Sequence, residues 1–270
     1  MKIPVIDCHC HVYPDKIADK AVESIHRFYD IDMGYDGRSS TLIEKGSENG
    51  IKHYIVFSVA TTPKQVQSIN AFIADTVKNS GGIMTGLGSL HPDSDNVAED
   101  YRHLKELGLK GVKLHPDFQK IAVDDERCEK IYELCRGDLP VLLHTGDDRY
   151  DFSNPDRLVS VLRKYPDLTV IGAHFGGWSV WEEAAEKLSG YPNFYVDCSS
   201  SFDWLTAEKA TEIVKAYGAD KVLFGTDFPM WEYERELERF FKMELTAEET
   251  EKILYKNAVK VFNIDVSKIF

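Results

Sequence analysis

Apolar residues recur along this chain as short continuous runs, each closing on a polar or turn residue. They read VIDCHCH from Val5, YIVFSVA from Tyr54, MTGLGSLHP from Met84 and GVKLHP from Gly111. The second half repeats the theme with PVLLHTG from Pro140, TVIGAHFGG from Thr169, FYVDCSS from Phe194 and VLFGTDFP from Val222. Runs of this length without polar alternation suit strands buried on both faces, as in a parallel sheet. Between them the period changes to that of a helix. Asn96 to Gly108 ends on a glycine, Asn154 to Pro166 opens with an Asn cap and a first-turn proline, and Thr206 to Gly218 runs from a Thr cap to a Gly stop. Thr246 to Phe262 supplies the last helix, with Thr246 and Glu249 spaced as a capping box. Eight strand–helix units predict an α/β protein of the (β/α)8 TIM-barrel type, for which about 250 residues is usual. The competing doubly wound sheet carries a glycine-rich phosphate loop after its first strand. Here that strand ends in His-Cys-His, and Gly86-Leu87-Gly88 lacks the rest of the fingerprint. No linker or low-complexity tract divides the chain, so residues 1–270 read as one domain. The stretch from Val12 to Lys52 is expected to hold two helices, with Gly34 to Ser40 as a candidate lid.

Composition narrows the function classes. Hydrophobic residues make up 43 % and the formal net charge is -13. An acidic excess of this size disfavours nucleic acid and anionic membrane surfaces, both of which need clustered cations. The five cysteines, Cys8, Cys10, Cys128, Cys135 and Cys198, are odd in number and scattered, unlike a disulfide framework. Neither a leader peptide nor an apolar stretch of roughly 20 residues is visible. The expectation is a cytoplasmic, reduced protein whose partner is a small-molecule substrate, with a homodimer compatible with a barrel.

Chemistry concentrates at the strand ends. Strict alternation along the first run puts Asp7, His9 and His11 on one face and turns Cys8 and Cys10 toward the helices, which disfavours a zinc knuckle from the two thiols. His144 ends the fifth run, His174 the sixth and Asp227 the eighth. Taken singly, a strand-end histidine is more often a packed residue, and an Asp after Gly-Thr a turn residue. The conjunction on the catalytic end of a barrel favours a divalent metal, most readily zinc, held by imidazoles and a carboxylate with a position left open.

On these residues the chain resembles the amidohydrolase superfamily, in particular the amidohydrolase-related branch that includes aminocarboxymuconate-semialdehyde decarboxylase. The matching elements are Asp7-x-His9-x-His11, His144, His174 and Asp227 in Gly-Thr-Asp-Phe-Pro, with Lys256-Asn257-Ala258 and Phe262 resembling the closing helix of that branch. The resemblance implies that His9, His11, His144 and Asp227 bind the metal, and that His174 is catalytic or serves a second metal. Some members carry a carboxylated lysine at the end of strand four; Lys113 lies in the fourth run, two residues before His115, and reads as a buried cation or a substrate contact. His115, Arg149, Trp178 and Phe228 are further substrate candidates, beside Tyr13, Arg38, Tyr150 and Trp231 on neighbouring loops. The implied activity is hydrolysis of an amide, ester or lactone by a metal-activated water, with His174 and Asp227 handling protons. Non-oxidative decarboxylation of an unsaturated or aromatic acid uses the same residues. A metal-independent lactonase on the same barrel is a further alternative. A non-catalytic metal protein is disfavoured, because structural zinc sites are usually closed and thiolate-rich.

Overall fold

The computed structural model describes residues 3–269. All eight apolar runs become strands. β1 is Val5–His11, β2 Ile51–Phe57, and β3 has two pieces, Met84–Gly86 and Gly88–Ser89. β4 is Val112–Leu114, β5 Val141–Leu143, β6 Val170–Gly172, β7 Phe194–Asp197 and β8 Val222–Leu223. Every adjacent pair is parallel. The helices that return the chain are α1 (Ala18–Tyr29), α2 (Ser39–Glu48), α3 (Val66–Asn79), α4 (Val97–Glu106), the single turn α5 (Pro116–Gln119), α6 (Glu126–Cys135), α7 (Pro155–Lys164), α8 (Trp181–Leu188), α9 (Ala207–Tyr217), α10 (Tyr233–Phe240), α11 (Ala247–Glu251) and α12 (Asn257–Phe262). Three of the four caps read from the sequence act through their side chains; Asn154 occupies the cap position of α7 but its amide donates to Asp151 instead. The Asn96 side chain accepts from Glu99 N–H and that of Thr206 from Lys209 N–H, and Thr246 with Glu249 forms the full capping box. Among the described residues no helix is long and apolar enough to cross a membrane.

Alternation along the strands divides the core into two layers. Ile6, Cys8, Ile55, Phe57, Leu87, Leu142, Ile171 and Leu223 fill the lumen, closed below by Ala258 and Phe262 of α12. The intervening residues, such as Val56, Val112, Val141, Leu143 and Val170, face outward and pack on helix residues such as Leu104, Ile131 and Leu158.

β1 departs from strict alternation. Its pairing with β2 shifts register between Val5 and Ile6 and again between Asp7 and Cys10, the irregularity that re-aims side chains at a bulge. Cys8 therefore enters the lumen while Cys10 joins the outer layer, so the two thiols do not both face the helices. Asp7 is likewise engaged elsewhere than the two histidines. Its Oδ1 accepts from Thr226 N–H at 3.0 Å and His9 N–H at 3.1 Å, and its Oδ2 from the Thr226 hydroxyl at 2.6 Å. This carboxylate seals the seam where β1 meets the chain after β8. Cys8 N–H donates to Phe224 O at 2.9 Å and His11 N–H to Phe228 O at 2.7 Å along the same seam. Gly225 permits the approach, since a Cβ there would lie 2.9 Å from the His9 Cβ.

β3 changes partners at its break. Leu87 N–H still bonds to Val56 O of β2 at 2.9 Å, whereas Gly88 N–H bonds to Gly111 O at 2.9 Å. The buried Asn70 of α3 supports this switch: its Oδ1 accepts from Ser89 N–H at 2.7 Å and its Nδ2 donates to Ser89 O at 3.1 Å. Asn70→Leu leaves both backbone groups without these partners. At about 1–3 kcal/mol per orphaned buried group, urea unfolding should show a loss of about 2–6 kcal/mol with an unchanged slope; wild-type stability would refute the role.

Candidate metal centre

The closed seam delivers the first cluster. His9 Nε2 lies 3.4 Å and His11 Nε2 3.5 Å from Asp227 Oδ1. Donors around one ion with bonds of about 2.1 Å are about 3.4 Å apart in a tetrahedral shell, so this triplet has the spacing of a single coordination sphere. A second convergent triplet is His9, His174 and Asp197. His144 stands beside it, its Nδ1 3.0 Å from His174 Nε2, while its Nε2 faces Asp117 Oδ2 at 3.2 Å. The five predicted residues thus share one bowl, but as His9–His11–Asp227 with the His144–His174 pair alongside. At coordination spacing His144 groups with His115 and Asp117.

Proton accounting shows what this bowl can hold. Burial pushes the pKa of His9, His11 and His174 well below the ordinary imidazole value, with the Lys113 charge next for His9 and His11 and the His144 charge next for His174. These rings are neutral, with one N–H and one lone pair each. His9 Nδ1 lies 2.8 Å from Asp197 Oδ2, which only accepts, so Nδ1 carries the proton and Nε2 is bare. His174 Nδ1 lies 3.1 Å from the Ser199 carbonyl, so its Nε2 is bare as well. Ser199 gives its own hydroxyl proton to Asp197. His9 Nε2 faces Lys113 Nζ and His174 Nε2 faces His144 Nδ1, and the donor set around Asp227, nitrogen and oxygen without thiolate, suits a divalent transition ion.

The chain's own cation here is Lys113. It is fully buried, with Nζ 3.3 Å from His9 Nε2 and 5.0 Å from the Phe57 ring centre. Burial lowers its pKa, against the pull of Asp197 and Asp227. Lys113 forms the floor under His9 and does not line the cavity above it. Burial raises the Asp227 carboxyl, opposed by the Ser200 hydroxyl that donates to Oδ2 and by the Lys113 charge. Trp231 Nε1–H holds Ser200 Oγ at 2.8 Å. His174, Ser200 and Asp227 all have left-handed backbone, with φ of 58°, 47° and 64°. Such conformations are uncommon outside glycine and gather at functional sites.

Above the bowl is an inner cavity of about 30 Å³, walled by Tyr29, His115, Trp178 and Met230. It adjoins, through His11, Ile25 and Phe118, a larger cavity of about 600 Å³ between α1 and α3. Tyr13 lines the outer cavity. His115 and Trp178 are where a substrate contact needs them. Three other candidates are employed differently. Arg149 gives Nε and Nη2 to Asp147 at 2.8 and 2.7 Å and Nη1 to Phe28 O at 2.9 Å, fastening α1 to the barrel instead of meeting a ligand. Phe228, joined to Pro229 by a cis peptide bond, is fully buried and stacks on Tyr35 at 5.4 Å, away from both cavities. Arg38 is paired with Asp19 and Asp36.

Sequence reasoning passed over Asp197, Asp117 and Ser200. Asp197 closes the FYVD run of β7 just as histidines close β5 and β6, a signal that was available. Asp117 sits in the turn after β4, where strand periodicity no longer says which way a side chain points.

The amidohydrolase family profile matches residues 6–264. A search among curated proteins finds no match. Among solved structures, 5-carboxyvanillate decarboxylase from Sphingomonas paucimobilis superposes with a TM-score of 0.75 at 14% identity, covering 98% of this chain and 100% of that one. Dihydroxybenzoic acid decarboxylase from a Polaromonas species, solved with manganese and 2-nitroresorcinol, gives 0.72 at 18% identity over 99% of each chain. A proposed 2-pyrone-4,6-dicarboxylic acid hydrolase from Pseudomonas putida gives 0.68 at 17% identity over 98% and 99%. The barrel is common to all three, and with the profile spanning nearly its whole length, this chain belongs to the amidohydrolase family.

Proposed function

We propose that this chain is a metal-dependent hydrolase acting on an amide, ester or lactone of a small molecule. The observation that carries the reading is the convergence of His9 Nε2 and His11 Nε2 on Asp227 Oδ1 at the spacing of one coordination sphere. His9, His11 and Asp227 would hold one divalent ion, with His144 completing the set through Nδ1. Zinc is the first candidate on a nitrogen-rich donor set, and manganese, present in the Polaromonas relative, the second. When bound there, a divalent ion supplies Lewis acidity and lowers the pKa of water from about 15.7 toward about 7.

The chain's own groups then divide the work. Asp227 stands at the junction of bowl and cavity, and burial favours its holding a proton. It is placed to take a proton from an attacking water and return it to the leaving group. Ser200, steadied by Trp231, keeps the carboxyl oriented. His174 Nε2 offers a second acceptor beside the reacting atoms, and Tyr29, Trp178 and Met230 restrict water to the small inner space. Three donors drawn from both sides of the β1–β8 seam and gathered at coordination spacing weigh against the metal-free lactonase.

A second reading is a carboxy-lyase. Its support is the inner wall, where Ile25, Ile31, Met33 and Met230 appear and, among the described residues, no Lys or Arg does. A substrate carboxylate there meets no Lys or Arg on the wall and would take its countercharge from the metal, and two of the similar structures are decarboxylases.

Elemental analysis of the purified protein should find about one zinc or manganese per chain, lost from the His9→Ala/His11→Ala double variant. Failure of the folded wild type to take up either metal would remove both readings. Asp227→Asn should lower kcat by about 100-fold or more, the scale of a lost general acid–base; full activity would remove its assignment. Turnover of ester and lactone panels without carbon dioxide supports hydrolysis, whereas carbon dioxide released from aromatic or enoic acids selects the carboxy-lyase.

A further inference from the structure

The inner cavity is too small for a substrate. Its volume of about 30 Å³ is on the scale of a water or two, whereas sites for small molecules usually measure about 300–1,000 Å³. A carbonyl brought to the bowl therefore carries its remaining atoms elsewhere. The outer cavity, about 600 Å³, has the capacity, and His11 belongs both to its wall and to the triplet with His9 and Asp227. Ile25 and Phe118 also line both spaces.

The walls of the outer cavity carry apolar side chains that the fold leaves partly uncovered. Ile17, just before α1, and Ala21, Ile25 and Phe28 within it are three or four residues apart, so they share one helix face. Ile17 stays 50 % exposed, and within α1 only Ala18 is buried. The helix is fastened at its C-terminal end, where Arg149 donates to Phe28 O and the Tyr29 hydroxyl meets His115 Nε2 at 3.0 Å. Across the cavity, Ile69 and Phe72 are half-buried on the flank of α3, whose Val66, Asn70 and Ile73 are the residues it buries. Two apolar stripes facing each other over such a space gain by taking an apolar occupant. The charged groups on the walls are Asp117 and Lys120, one of each sign, so a charged arm finds no set of countercharges there.

We infer that the outer cavity is the subsite for the acyl arm of the substrate. The substrate is then an ester, amide or lactone with an uncharged alkyl or aryl arm, seated between α1 and α3 while its carbonyl meets the bowl. Specificity lies with Ile25, Ile69 and Phe72. The inference rests on the hydrolase reading for the reaction but not for the binding.

The test treats the two separately. Straight-chain methyl ketones from butanone to decanone have an uncharged carbonyl and an arm of graded length, and nothing to hydrolyse. Their binding to the metal-stripped protein, followed by ligand-observed NMR, should tighten by about four-fold per added methylene until the cavity is filled. Phe72→Ser should lose most of that gain. Ser68→Trp, which narrows the cavity from an exposed position on α3, should end the gain at a shorter chain. A series that is flat with length, or wild-type length dependence in both variants, overturns the inference. A flat series together with a dimer that Phe72→Ser dissociates in sedimentation gives the cavity to a second copy of the chain and overturns it too. Where Phe72→Ser does not fold, Ser68→Trp decides. With the metal-loaded enzyme, kcat/KM for p-nitrophenyl esters should rise from acetate to octanoate. If no ester is turned over while the ketone series holds, hydrolysis falls and the subsite stands. Ester turnover indifferent to chain length overturns the subsite and leaves hydrolysis standing.

Discussion

Closure of the barrel at the β1–β8 seam is the constraint on which the site depends. His9 and His11 come from one side of that seam and Asp227 from the other, and they meet only because the Asp7 carboxylate gathers Thr226 and the His9 amide. Hydrogen bonds from Cys8 and His11 to the chain after β8 run along the same line. The seam is also where glycine is needed, at Gly225, because a side chain there would meet His9. Asp7, which shares a motif with the histidines, thus does structural work one layer behind them.

Burial holds His9, His11 and His174 neutral, and burial alone does not say which nitrogen keeps the proton. That choice lies with groups outside the bowl: Asp197 for His9 and the Ser199 carbonyl for His174. Each is an acceptor in its own right, and each leaves the inward nitrogen free. The barrel lends itself to this, since each strand end has a neighbour on either side that can present an acceptor to the outer edge of its ring. Lys113 adds the countercharge from below, so the bowl combines imidazole nitrogens, one carboxylate and one cation that burial disfavours.

The eight strands could be read from the sequence because a parallel strand buried on both faces must be apolar throughout, and few other elements share that signature. The break in β3 could not, since it depends on Asn70 from a helix crossing behind it. Nor could the bulge in β1, where strict alternation sends Cys8 to the wrong layer. His9, His11, His144, His174 and Asp227 were legible because a strand end in a barrel has only one destination. Arg149 and Phe228 were not, because loop residues carry no periodicity to aim them: one is drawn to the neighbouring Asp147, the other into an aromatic stack with Tyr35. The acceptors were hidden for a different reason. Asp197 is 188 residues from the ring it serves, and a hydrogen bond over that span leaves no local trace.

The same span has a bearing on how the protein comes into being. Thr226 and Asp7 are 219 residues apart, so β1 emerges from the ribosome long before its partner exists. Synthesis at about 5–20 residues per second leaves that strand waiting for roughly ten seconds or more with its histidines unassembled. During that interval His9 and His11 lack Asp227, Asp197 and the lumen packing that strips their rings of water. His9, His11 and Asp227 therefore come together only once the eighth strand has been made, so the cluster proposed to hold a metal is completed at the end of translation by the connectivity of the barrel itself.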